Sequence, residues 1–361
     1  MSLILHKKLK IFAINDRNKF EDIFGLQGYE LNRTHWAVKD KNFKSILHFL
    51  EVQSTDSETQ LAETSEPTKE ELAEIVPIEN PPRRAGNIVE FFEIITELQK
   101  DPDQDLFFRG HNDFNFEIEP KIFRKNKNGS YMYASKEANM INDILTLSPS
   151  EFADDIYMID KLVRMQHYGI PTRLLDITLN PLIALYFACA PGDDSQNNTS
   201  IDGEVIVFTA EKTKIKYFKS DTVSCIANLS TLTYDQQNHI VNSDKNTSQH
   251  INAKTDLLNS ILSEKPYFRD AINTQDLKRI FFVRGRNSNP RISAQAGAFL
   301  IFGAETPMLD IIDIEIPITR IRIYNKIEII RQLEMVNIRS STIFPEIEKI
   351  TGDVVKKYRQ N

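Results

Sequence analysis

Met165-Gln-His-Tyr-Gly-Ile-Pro-Thr-Arg-Leu-Leu-Asp-Ile-Thr-Leu-Asn-Pro-Leu-Ile-Ala-Leu-Tyr-Phe-Ala-Cys189 is the stretch whose reading decides the fold. Gly169 is a natural stop for the amphipathic run that precedes it, where Ile156, Ile159, Leu162 and Val163 recur at helical spacing and predict a helix over 154–166. Residues 172–177 then read as a strand. Thr178 or Asn180 supplies a helix cap and Pro181 suits a first turn, which predicts a buried helix over 181–190. The junction carries His167, Tyr168, Arg173, Asp176 and Thr178. Ionisable groups at this density beside a strand end usually line a pocket.

Outward from this segment, strands and helices mix without regular alternation. Asn87 and Glu90 form a capping-box pattern ahead of Ile88, Phe91, Phe92, Ile95 and Leu98. Residues 105–109 read as a strand ending in Arg109, and 204–209, 279–283, 298–302 and 318–324 as further strands. Residues 211–262 are polar and weakly periodic, expected as helices with loops. Asn325 with Glu328 repeats the capping-box pattern before a helix ending near Met335, and a last helix is expected after Phe344-Pro345. With no glycine-rich phosphate fingerprint, the pattern predicts an α+β fold rather than a doubly wound one.

The 361 residues, 41% hydrophobic and 26% charged, allow a sizeable core. A formal charge of −7 argues against attraction of the whole surface to nucleic acid or anionic membrane. Cys189 and Cys225 have no companions at metal-ligand spacing, and no His-Glu-x-x-His set is present, so no metal is expected. Gly-x-Ser-x-Gly is absent too. Sparse cysteine, an opening broken by lysines and the lack of a long apolar run predict a cytoplasmic protein without a membrane partner.

Residues 1–50 read as a small α+β unit, with strands near 9–13 and 36–38 and a helix over 42–50 capped by Asn42. It is too small for a large core of its own and is expected to dock a partner or sense a trigger. Trp36, beside His35 and Arg33, is either core or a contact site. Residues 51–85 form an acidic linker: between Glu51 and Pro82 nine acidic residues stand against Lys69, and Pro67, Pro77, Pro81 and Pro82 punctuate the run. At most a short helix is expected around 70–75. Residues 86–361 are the main domain.

Three segments of that domain concentrate polar groups. Phe107-Phe108-Arg109-Gly110-His111 places an arginine at the end of an aromatic strand, beside a glycine that admits close approach; it suits a phosphate or carboxylate, or else a buried structural arginine. Arg173 and Asp176 either line a site or pair with each other. Arg291-Ile-Ser-Ala-Gln295-Ala-Gly297 leaves room for a ligand beside Gln295.

Phe108-Arg109-Gly110, Gln166 to Asp176, and Asn180-Pro181 with Ala184-Leu185-Tyr186-Phe187-Ala188 together resemble the bacterial FRG domain, named for Phe-Arg-Gly. Arg291 to Phe302 and Ile343-Phe344-Pro345 are also similar to that family's pattern. The resemblance covers about Asn87 to the C-terminus. Ile177 stands where the family often has tryptophan, a change expected to matter for packing.

More distantly, the order of motifs resembles ADP-ribosyltransferases. That resemblance implies a mixed or antiparallel sheet core with surrounding helices and NAD as a substrate. It implies Arg109 on the pyrophosphate or ribose, with Gly110, His111, Tyr168, Arg173 and Arg291 among the nucleotide-binding residues. Asp176 and Thr178 would form the pocket wall, Gln295 would contact the ribose and His167 would act as an acid–base group. Gln295 departs from the carboxylate expected there; an oxocarbenium-like state is better stabilised by a negative charge, for which Asp176 or Glu305 are candidates. The implied activity is ADP-ribose transfer or NAD cleavage by an intracellular toxin or antiviral defence effector, with a protein or RNA target. Two readings compete with it. One is a non-catalytic module that reads a nucleotide or RNA end through Lys278, Arg279, Arg284, Arg286 and Arg291. The other is an interaction protein whose motif residues form a buried ion-pair network.

Overall fold

The computed structural model describes residues 3–6, 11–14, 29–32, 35–37, 83–99, 101–190, 201–286, 290–304 and 316–345. The chain divides into two compact units, Met1–Arg83 and Arg84–Asn361. The first contains β1 (Leu3–His6), β2 (Ile11–Ile14), β3 (Tyr29–Asn32) and β4 (His35–Ala37). They form an antiparallel sheet in the order β1-β2-β4-β3. The packing of Trp36, the expected helices over 42–50 and 70–75, Glu305 and the helix expected after Pro345 lie outside what is described.

The second unit is built on an eight-stranded sheet. Its strands are β5 (Arg83–Ala85), β6 (Gln104–His111), β7 (Leu174–Thr178), β8 (Gly203–Glu211), β9 (Lys216–Tyr217), β10 (Ile280–Arg284), β11 (Gly297–Phe302) and β12 (Ile318–Ile323). Their order is β5-β12-β8-β6-β7-β11-β10-β9. From β12 through β8, β6, β7 and β11 to β10 neighbouring strands run antiparallel, and β9 runs parallel to β10. The helices are α1 (Ile88–Leu98), α2 (Glu137–Leu147), α3 (Met158–His167), α4 (Pro181–Cys189), α5 (Asp221–Leu229), α6 (Tyr234–Asn242), α7 (Ser248–Glu264), α8 (Pro290–Ala294), α9 (Lys326–Met335) and α10 (Ser340–Ile343). The architecture is the expected α+β class. Arg83–Ala85, assigned to the linker from sequence, is strand β5, and Ala85 is fully buried.

Both faces of the sheet are covered, so its strands read as near-continuous apolar runs whose alternate residues enter different cores. Leu106, Phe108, Val205, Val207, Ile321 and Ile323 share one core with α1, α4 and α9. Leu174, Phe299 and Ile301 join a core with α3, α5, α6 and α7. Phe107, Leu175, Ile177, Ile206, Phe208, Phe282, Leu300 and Phe302 point the other way into a third. There Phe107 stacks on Phe282 with ring centroids 5.0 Å apart. Burying each such ring contributes about 2–3 kcal/mol.

Local signals explain most helix boundaries. Asn87 caps α1 by accepting the Glu90 N–H at 3.0 Å, while the Glu90 carboxylate accepts from Gly86, one residue outside the expected box. α3 starts at Met158, later than predicted. Asp155 is engaged by Arg164, Ile156 is exposed, and the Met158 N–H is capped by Glu264. Asn325 makes no capping box: its backbone is left-handed at φ 53°, and its side chain donates to the Gly86 carbonyl at 3.4 Å.

Candidate functional site

The sheet parts between β6 and β7. β6 pairs with β8 along its whole length from Gln104 to His111, and β7 pairs with β11 from Leu174 to Thr178, yet β6 and β7 share the single register pair Phe108–Thr178. Two half-sheets therefore splay from that point. A cleft of about 220 Å³ opens there, and its lining includes Arg109, Gln166, His167, Asp176, Thr178 and Phe187, with Arg291 and Gln295 on the α8 side.

Each wall has a local cause. Phe108 and Thr178 face each other across the pair and therefore share a face; Asp176, two residues from Thr178, lies on it as well. α3 brings Val163, Gln166 and His167 to the cleft and ends at Gly169, whose φ of 86° suits glycine. α4 brings Ile183 and Phe187. Asn180, one of the two expected candidates, caps it by accepting the Leu182 N–H at 3.0 Å, and the Thr178 hydroxyl accepts the Asn180 N–H at 3.0 Å and so holds the cap residue in place.

Hydrogen bonds lock the polar groups. Arg109 Nη1 donates to the main-chain oxygen of Asp176 at 2.6 Å, spanning the gap where a strand ladder would otherwise run. Its Nε donates to His111 Nε2 at 2.9 Å. Burial holds the Arg109 pKa below its ordinary value, opposed by the Asp176 carboxylate and assisted by Arg124. Gln166 Nε2 donates to Asp176 Oδ2 at 2.7 Å, and its Oε1 accepts the Thr172 hydroxyl at 2.8 Å, which fixes the amide's orientation. The Thr178 hydroxyl donates to the Gln295 main-chain oxygen at 2.6 Å.

The end of α10 and the residue that follows it supply a further contact set. Gln295 Nε2 donates to the Ile343 carbonyl at 3.3 Å. Phe344 lies edge-on to Phe187 at 5.8 Å and under the Arg291 guanidinium at 4.8 Å. Asp176 is the one carboxylate among the residues lining the cleft.

Seven residues singled out from sequence meet here: Arg109, Gly110, His167, Asp176, Thr178, Arg291 and Gln295. Three do not. Arg173 is fully buried and shares the parity of Leu175 and Ile177, which enter the core on the opposite face. Its partners are the Glu137 carboxylate, the Phe302 and Gly303 carbonyls and Gln237, so it neither lines the cleft nor pairs with Asp176. Tyr168 is 55% exposed, and its hydroxyl donates to Glu151 at 2.9 Å. His111 is buried behind Arg109 and is not part of the lining.

Gly110 also has a packing role. A Cβ there would overlap the Ala184 carbonyl oxygen and lie 2.7 Å from the Ala188 nitrogen. The glycine lets α4 pack directly on β6.

The basic run is largely absorbed in ion pairs. Arg284 meets Asp105 at 2.6 Å, Arg286 meets Asp160 at 2.9 Å and Arg279 meets Asp276 at 3.6 Å. Gln166, Phe187 and Phe344 were not singled out as site residues. Gln166 had a readable signal, since it precedes His167 on the same helix end. The role of Phe344 depends on tertiary placement, which no local pattern reveals. Among the described residues no group of His, Cys, Asp and Glu could hold a metal, and no helix is long and apolar enough to cross a membrane.

Residues 104–198 match the family model of the FRG domain. No curated protein and no solved structure matches the chain. The matched residues include Arg109, Gly110, His167, Asp176 and Thr178, and exclude Arg291, Gln295 and Phe344.

Proposed function

We propose that the cleft binds NAD or a related nucleotide and that the protein breaks its N-glycosidic bond, passing ADP-ribose to water or to a protein or RNA acceptor. The observation that carries this reading is the convergence of Arg109, Asp176, Thr178 and Gln295 on one cleft where the two half-sheets part. The FRG match supports the motif assignment over its first part. At about 220 Å³ the cavity is smaller than the roughly 300–1,000 Å³ that encloses a whole drug-sized ligand, so it suits one nucleoside end of a dinucleotide. The phosphates would then lie towards the two guanidinium groups, Arg109 and Arg291.

In this reading the C1′–N bond breaks heterolytically, nicotinamide leaves with the electron pair, and positive charge develops at C1′. The Asp176 carboxylate, oriented by Gln166, supplies the negative charge that the Gln295 amide does not. The acceptor oxygen attacks C1′ and gives up its proton, for which His167 is the candidate base. A role as a toxin or antiviral defence effector belongs to the same reading through the family resemblance. A second reading, binding without turnover, is favoured by the amide at position 295.

Incubation with NAD labelled in its nicotinamide separates the two. Release that falls a hundredfold or more in Asp176→Asn while NAD binding persists supports the enzyme. NAD binding without release, alone and with cell extract, supports the module. Absence of binding removes both.

A further inference from the structure

His111 does not line the cleft, yet it is buried and hydrogen-bonded to Arg109, which does. It follows Arg109 by two positions on β6, so both share the face of Phe107. It is 5% exposed. Arg109 Nε–H donates to its Nε2 at 2.9 Å, and a ring nitrogen that accepts a hydrogen bond carries no proton. The imidazole is therefore neutral, with its proton on Nδ1. The second anchor of Arg109 is the Asp176 carbonyl on Nη1. A planar guanidinium held at two of its three nitrogens has a fixed orientation, and Nη2 is left as the donor for an anion.

We infer that His111 is a positioning residue for Arg109: as a neutral acceptor it orients the guanidinium for the nucleotide's anionic part without cancelling its charge. The inference rests on the nucleotide reading of the cleft. The residue type follows from the task. A carboxylate at position 111 would form an ion pair and offset the charge that a phosphate must meet, whereas a charged imidazolium would have no lone pair to accept the Nε–H. Burial and the nearby Arg109, Arg320 and Arg124 keep the imidazole neutral, with its pKa down to about 3.

The test compares NAD affinity by calorimetry in the full chain with His111→Gln, which keeps an acceptor, and His111→Leu, which removes it. Each is measured alone and with Arg109→Ala, and thermal melts confirm folding. His111→Gln is expected within about threefold of wild type. His111→Leu is expected to bind at least tenfold more weakly, with no further loss in the Arg109→Ala background. Wild-type affinity in His111→Leu, or an equal loss with and without Arg109, overturns the inference. A ligand-free readout separates this from the nucleotide reading: nitrogen NMR should find His111 protonated on Nδ1 and the Arg109 Nε–H slow to exchange, with slow exchange lost in His111→Leu. An Nε2-protonated ring overturns the positioning role whether or not NAD binds. Failure of the wild type to bind NAD, with the expected spectrum, overturns only the identity of the ligand.

Discussion

Arg109 and Asp176 are joined through the backbone: the Arg109 guanidinium donates to the Asp176 main-chain oxygen at 2.6 Å, just beyond the one register pair that β6 and β7 share. The side chain of one strand takes over a hydrogen bond that the parted ladder no longer makes, so the sheet can open without orphaning that carbonyl. This leaves the Asp176 carboxylate to Gln166 and the cleft. Arg109→Ala is expected to weaken NAD binding by at least tenfold. It should lower unfolding stability by no more than about 1–3 kcal/mol, because water from the open cleft can reach the carbonyl. Calorimetric titration with urea unfolding checks both; a variant that fails to fold would make Arg109 a structural residue first.

Arg173 predicts the reverse balance. It is fully buried with Glu137, and removing one member of such a pair strands the other charge. Arg173→Met should cost about 3–5 kcal/mol, and Arg173→Met combined with Glu137→Leu should recover much of that loss. Urea unfolding of the two variants decides it. Equal losses in the single and double variants would mean that the charge pair is not the cause.

The glycine of Phe108-Arg109-Gly110 is required by a helix. Gly110→Ala must push α4 away from β6, because Ala184 and Ala188 backbone atoms occupy the space of its Cβ. A loss of stability of several kcal/mol is expected, in the range of severe backbone clashes. A thermal midpoint unchanged from wild type would contradict the close helix packing.

Much of this architecture was legible in the sequence, and the rest was missed for two different reasons. Gly169, Asn180 and Pro181 act within a few residues of themselves, so the ends of α3 and α4 could be read locally. Arg173 stands in a segment dense in polar groups, but strand parity, not that density, sets where its side chain goes. Position 173 is odd with Leu175 and Ile177, whereas Asp176 is even with Leu174 and Thr178, so period-two alternation already sends the two charges to opposite faces. The contact of Phe344 with Phe187 and Arg291 joins segments distant in sequence, and only the folded chain reveals it.

Gln166 gives a prediction that separates binding from chemistry. Its amide is fixed by Thr172 on one side and holds Asp176 on the other. Gln166→Leu should leave NAD affinity within a few fold. Nicotinamide release should slow by about ten- to a hundredfold as the carboxylate loses its orientation. Gln166→Glu should do at least as much by placing a like charge beside Asp176. Unchanged release in both variants would remove Asp176 from the reaction.

His111 ties acid stability to the site. Glu204 lies opposite it in the β6–β8 ladder. Burial, then Arg109, Arg320 and Arg124, lower its pKa from 6.5 to about 3 in the folded protein. In the unfolded chain the imidazole takes up a proton near its ordinary value of about 6.5. Between these values the unfolded state binds one more proton, so this contribution to stability is present above about pH 6.5 and declines on acidification by up to about 1.4 kcal/mol per pH unit. His111→Gln has no such group. Its stability relative to wild type should therefore improve by about 2 kcal/mol between pH 7 and pH 5, and comparing the two proteins cancels the carboxylates common to both. Urea unfolding at pH 7, 6 and 5 provides the measurement. Parallel curves for the two proteins would mean that His111 titrates near its ordinary pKa, and a charged imidazole at pH 5 could not accept the Arg109 Nε–H.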